Sequence, residues 1–157
     1  MKKLITLLLL SLNNLAVNAQ NQLDSFVNVW HRNAANANLN DYFDLMSNDF
    51  VFLGTAPGER WNKTEFYSFC KPYFDKGKTW DFIPSERNWK YTADSTLAFF
   101  DESLSTWMGG CRGSGIFQKQ NDNQWKLIYY NLTVLIENEK IQEFIQLRKK
   151  KIKAKSK

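Results

Sequence analysis

Three stretches decide the fold: Thr96–Thr106 (TLAFFDESLST), Cys111–Gln120 (CRGSGIFQKQ) and Gln124–Ile136 (QWKLIYYNLTVLI). Each alternates at period two, which sends successive side chains to opposite faces of a strand. Ala93-Asp94-Ser95, Gly109-Gly110 and Asn121-Asp122-Asn123 have turn chemistry and bound them. The expectation is an antiparallel meander of long strands. Gly113 and Gly115 inside the middle strand let it coil, so the sheet is expected to curve over an enclosed space.

Upstream the period becomes helical. Leu23, Phe26, Val27, Trp30, Ala34 and Ala37 recur on one side of a first helix. Asn40 is expected to cap a short second helix through Met46, and Asn48-Asp49 to turn the chain into a strand over Phe50–Thr55. After the loop Ala56–Trp61, Asn62 with Glu65 three residues on forms a capping-box pattern. That helix carries Phe66, Phe69, Cys70 and Tyr73, should bend at Pro72 and should end at Gly77. Trp80–Ile83 and Arg87–Tyr91 read as short strands. Ile141, Phe144, Ile145 and Arg148 suggest a closing helix. Helices first and a curved antiparallel sheet after them is an α+β layout.

Residues 1–19 have the form of a signal peptide. Lys2-Lys3 precede the apolar run Leu4–Leu12, and Val17 and Ala19 supply the small residues of a cleavage site. The run is too short to span a bilayer, so no transmembrane anchor is expected and the protein is expected to be exported, periplasmic or secreted. Residues 20–147 form the domain and 148–157 a basic, disordered tail. The net charge of +5 is unevenly placed: residues 20–147 hold twelve Lys and Arg against sixteen acids, a balance of −4, while seven positive residues fall in the last ten. An acidic body argues against nucleic acid as a partner. Two cysteines, Cys70 and Cys111, make no disulfide framework, and both read as buried thiols. One histidine and no CxxC or HExxH give no basis for a metal or another cofactor.

Taken in order, Trp30-His31, Gly54-Thr55 with Glu59-Arg60-Trp61, Phe99-Phe100-Asp101-Glu102, Arg112-Gly113-Ser114-Gly115, and Trp125-Lys126-Leu127 with Tyr130-Asn131-Leu132 resemble the SnoaL-like domains of the nuclear transport factor 2-like superfamily. The resemblance covers about Leu23 to Asn138. It implies a cone-shaped α+β barrel of the cystatin-like kind: a curved antiparallel sheet packed on N-terminal helices, with a ligand cavity and often a homodimer across the outer sheet face. It implies no single function. Ala56 departs from the acid found after Gly-Thr in many relatives, so one pocket carboxylate is missing.

Alternation then nominates site residues. Phe100 and Glu102 share a face, as do Arg112 and Ser114, and as do Trp125, Tyr129 and Asn131. The expectation is a Glu102–Arg112 pair on the concave face, with Arg112 binding a ligand oxyanion and Glu102 orienting it or acting as a base. A purely structural ion pair competes with that reading. Trp30, His31, Glu59, Trp61, Phe100, Ser114, Trp125, Tyr129 and Asn131 are the expected pocket residues. His31 is also a proton-transfer candidate by its chemistry, although a lone helix histidine is more often structural. Three functions compete. One is a binding module for a small apolar or amphipathic molecule, one an acid–base enzyme without cofactor, and one a dimeric interaction domain whose interior is filled by its own side chains. A fully ion-paired Glu102 favours binding or structure over catalysis.

Overall fold

A computed structural model describes residues 22–155, with side chains through residue 149. The expected signal peptide and its cleavage site lie outside the described residues. The first helix, α1 (residues 22–35), buries Leu23, Val27, Trp30 and Ala34 along one stripe. Ala37 does not extend that stripe. Its φ of 56° places it in the left-handed region, and Ala37 N–H and Asn38 N–H return to Ala34 O and Asn33 O, closing the helix. This early closure starts α2 (Leu39–Asp44) after Asn38, so Asn40 lies inside the helix and is not its cap.

β1 (Met46–Leu53) begins before the expected strand, and Asn48-Asp49 form an irregular stretch within it rather than a preceding turn. β2 (Arg60–Asn62) pairs back on β1, and α3 (Lys63–Phe74) follows with the capping box intact: Asn62 accepts from Glu65 N–H and Glu65 from Asn62 N–H. α3 passes through Pro72. It closes when Gly77, at φ 62°, turns the chain so that Gly77 N–H and Lys78 N–H reach Phe74 O and Tyr73 O. β3 (Ile83–Tyr91) is one strand with a register shift between Pro84 and Arg87, and Trp80–Phe82 precede it as loop. β4 (Leu97–Thr106), β5 (Gly109–Lys119) and β6 (Trp125–Val134) form the expected meander. The hairpin between β4 and β5 turns on Trp107-Met108, so Gly109-Gly110 begin β5 rather than form the turn.

The six strands run β2-β1-β6-β5-β4-β3 in one curved, unclosed sheet. β1 lies parallel to β6; every other pairing is antiparallel. The concave face closes on the helices over a core rich in aromatic rings, among them Tyr42, Phe50, Phe66, Phe100, Phe117 and Tyr130. Cys70 and Cys111 are buried free thiols within it, and burial pushes the Cys70 thiol well up. A short 3₁₀ turn (Asn138–Lys140) leads into α4 (Ile141–Lys155). The backbone is helical where a disordered tail is expected from Arg148 onward. Lys and Arg are good helix formers, and cations near a helix C-terminus complement its dipole.

Candidate functional site

The site is built around Glu102. Phe100, Glu102 and Leu104 alternate onto the concave face of β4 and all are buried, Glu102 to 1% exposure. Arg87 lies directly across on β3, and its Nε and Nη2 donate to Oε2 at 3.1 and 2.8 Å. Tyr130 donates its hydroxyl to Oε1 at 2.9 Å, and His31 Nε2 lies 2.7 Å from the same oxygen. Four donor atoms from three elements thus converge on one carboxylate. Burial raises the Glu102 carboxyl, but the His31 hydrogen bond and the His31 and Arg87 charges outweigh it. The group ends below the ordinary value of 4.5. The Tyr130 hydroxyl is pushed well above its ordinary value by burial and then by the Glu102 charge, which holds it as a donor.

Local geometry explains why Tyr130 can reach. Gly113 faces Glu102 across the β4–β5 pair, and Gly115 faces Tyr130 across β5–β6. A Cβ on Gly113 would stand 2.1 Å from the Tyr130 hydroxyl oxygen, and one on Gly115 would stand 2.3 Å from the Phe100 ring. These glycines clear space for the Tyr130 hydroxyl and the Phe100 ring on the sheet. On α1, Asp24, Asn28 and His31 follow one another at i, i+4 and i+7 and form a polar stripe beside the apolar one. Asp24 and Asn28 accept from Arg87 Nη1 and Nη2, each at 3.1 Å, and Asp24 also accepts from Trp89 Nε1 at 2.9 Å.

Above this network lies a cavity of about 350 Å³. Its innermost lining is Trp30, His31, Tyr42 and Tyr130, all buried. Trp30 stacks on Tyr42 with ring centroids 5.1 Å apart, and Phe52 on Phe66 at 4.1 Å. Trp61, stacked on Phe69 at 4.5 Å, stands nearer the mouth with Tyr73, Trp80 and Trp107. Glu59 lines the same space and accepts from Ala56 N–H at 2.9 Å, so it closes its own loop. Among the described residues, no three His, Cys, Asp or Glu side chains converge to hold a metal ion.

Of the expected pocket residues, Trp30, His31, Glu59 and Trp61 line the cavity. Phe100 is buried beside Tyr130 without lining it. The Glu102–Arg112 pair does not form. Glu102 faces Gly113, so Arg112 sits opposite Ser103, on the other face of the sheet and exposed. Ser114, half-buried, shares that outer face with Asp101 and Asn131. Along β6 the alternation breaks. Leu127 pairs with Phe117 and Tyr129 with Ile116, which leaves Ile128 as a bulge. Trp125 and Leu127 are buried before it, Tyr130 and Leu132 after it, and Tyr129 and Asn131 face outward. Trp125 belongs to the core and not to the cavity lining.

The functional residues that sequence reasoning missed are Arg87 and Tyr130. Arg87 sits in the strand whose alternation a register shift interrupts. Tyr130 falls just past the bulge. The polar α1 stripe was the readable signal that a buried polar partner waits opposite.

The model of the SnoaL-like domain matches residues 23–137. The chain belongs to the SnoaL-like domain family. Among solved structures it is similar to an NTF2-like protein of unknown function from Pseudomonas putida, with 11% identity over 78% of this chain and 91% of that one and a TM-score of 0.66. It is also similar to an NTF2-like protein from Cytophaga hutchinsonii, with 14% identity, 74% and 98% coverage and a TM-score of 0.61. ActVI-ORFA from Streptomyces coelicolor is similar at 11% identity, 73% and 96% coverage and a TM-score of 0.61. At such identities these likenesses show the fold alone. No curated protein matches the chain.

Proposed function

We propose that this SnoaL-like domain binds a small apolar or amphipathic molecule in its aromatic cavity. The observation that carries the reading is a cavity of about 350 Å³ walled by aromatic rings, with Glu102 saturated by donors beneath it. Apolar walls with a few fixed polar groups are the usual make-up of a small-molecule site. An open space of this size argues against an interior filled wholly by its own side chains. The test is mass spectrometry of small molecules extracted from protein purified from its native source. A bound molecule near one equivalent is expected, and Trp61→Ala should lower its occupancy at least tenfold, since aromatic anchors dominate such sites. Protein that carries nothing, with Trp61→Ala indistinguishable, overturns the reading.

A second reading, acid–base catalysis without a cofactor, is favoured by the 2.7 Å contact of His31 with Glu102, while Arg87 takes the place expected of Arg112. Under it, Glu102→Gln keeps ligand affinity and abolishes turnover.

Export to the periplasm or medium is part of the same proposal, supported by Lys2-Lys3, the Leu4–Leu12 run and Val17-Asn18-Ala19. So is a homodimer across the outer sheet face. Phe99, Ile116 and Tyr129 pair directly across β4, β5 and β6 there, and Phe99 is 39% exposed.

A further inference from the structure

α4 stands apart from the domain. Through residue 149 none of its side chains is buried; Ile145 is half-buried and the rest are exposed. None of them joins the hydrophobic core or packs on it. Yet Ile141, Phe144, Ile145 and Leu147 recur at helical spacing on one side, with Gln142, Glu143, Gln146 and Lys149 on the other. Leu147, at 65% exposure, stands almost wholly in water. Arg148 falls within the apolar side and lays its guanidinium over the Phe144 ring, 5.7 Å from the centroid. The charge is as lopsided as the hydropathy. Residues 144–157 hold seven Lys and Arg and no acid, whereas residues 20–147 balance at −4.

We propose that α4 is a membrane-surface helix that lies along an anionic bilayer, its apolar side in the headgroup region and its cations among the lipid phosphates. This goes beyond the cavity and stands whether or not the cavity holds a ligand. An apolar side joined to a block of cations is the make-up of a helix that binds in the plane of the interface. α4 has 15 residues, about 22 Å of helix, short of a hydrocarbon core of roughly 30 Å. No helix among the described residues is long and apolar enough to cross a membrane. Other partners answer only half of the pattern. A nucleic acid would meet the charge and leave Ile141, Phe144 and Leu147 in water. A second α4 would meet the apolar side and set one block of cations against another. An anionic bilayer meets both. The same surface repels the acidic domain, so the protein sits on the bilayer by α4 with the domain held off.

The experiment is vesicle flotation of the full mature protein, residues 20–157, so that the apolar run Leu4–Leu12 cannot itself carry adsorption. The vesicles are phosphatidylcholine alone, or phosphatidylcholine with about one-third phosphatidylglycerol. Binding should be roughly tenfold or more stronger to the anionic vesicles. It should weaken as salt rises to about 0.5 M, where screening shortens the reach of the lysines. Both results are read on the wild type alone. Two variants then separate the contributions. Phe144→Ser/Leu147→Ser keeps every charge, and Lys149→Gln/Lys150→Gln/Lys151→Gln/Lys153→Gln keeps every apolar residue. Each should lose roughly tenfold or more in vesicle binding with the urea midpoint unchanged, since α4 adds nothing to the core. Equal binding to both vesicles, or to neither, overturns the proposal. So does wild-type binding of anionic vesicles by Phe144→Ser/Leu147→Ser, which marks a site for polyanions in general, with equal affinity of both proteins for a DNA duplex. A dimer in sedimentation that the same variant dissociates overturns it too, and gives the apolar side to a second copy.

Discussion

Replacing Arg87 by Met removes the charge that balances Glu102 while keeping an apolar stem of similar length. Glu102 is 1% exposed, and Arg87 supplies two of its four donors, at 3.1 and 2.8 Å. Breaking a buried pair by removing one partner leaves an uncompensated charge and costs about 3–5 kcal/mol. The Arg87–Asp24 contact adds little, since Asp24 is 34% exposed and solvent screens it. A loss of about 3–5 kcal/mol is a large part of the 5–15 kcal/mol typical of a domain, and should lower Tm by roughly 10 °C or more. The control is Arg112→Ala, on the exposed face, which should stay within about 0.5 kcal/mol of wild type. Urea denaturation at neutral pH measures both. In the double variant Arg87→Met/Glu102→Gln the loss should be smaller than in Arg87→Met alone, because no bare carboxylate remains. The reasoning fails if Arg87→Met costs under about 1 kcal/mol, or if Arg112→Ala costs as much as Arg87→Met.

Acid stability carries the same signature. The folded Glu102 carboxyl lies below its ordinary value of 4.5, so between the two values the unfolded chain binds the extra proton. Its contribution is therefore complete above about pH 5 and declines as pH falls through the folded value; Glu102→Gln should flatten the slope of stability against pH across that window in urea titrations. Gly113→Ala should push the Tyr130 hydroxyl off Glu102, since the new Cβ would meet it at 2.1 Å. The expected cost is about 2–4 kcal/mol by thermal melting, made of overpacking and a lost charge-assisted bond, and it should shrink in a Tyr130→Phe background.

The expected and observed structures part company where pairing register matters. The meander, the Asn62–Glu65 capping box and the shared face of Phe100, Glu102 and Leu104 are local patterns, and local chemistry specifies them. Which residue of β5 meets Glu102 is a property of two strands together, and a shift of one position moves every side chain to the other face. That single step separates Arg112 from Gly113. A clue was present, since Cys111, Gly113, Gly115 and Phe117 are small or apolar while Arg112, Ser114 and Gln118 are polar. The phase of β6 was harder to read, because the bulge at Ile128 makes both of its faces look aromatic. The parallel partnership of β1 with β6 is a long-range choice that no short window of sequence contains.

One carboxylate receives a side chain from α1, from β3 and from β6, so the narrow end of the cone is tied together at a point. Trp61, Phe69 and Trp107 at the mouth make no hydrogen bond to that knot. Relatives of this chain can therefore exchange mouth residues and change what enters, at small risk to folding. The apex admits no such drift: a change at Glu102 strands the other three side chains at once.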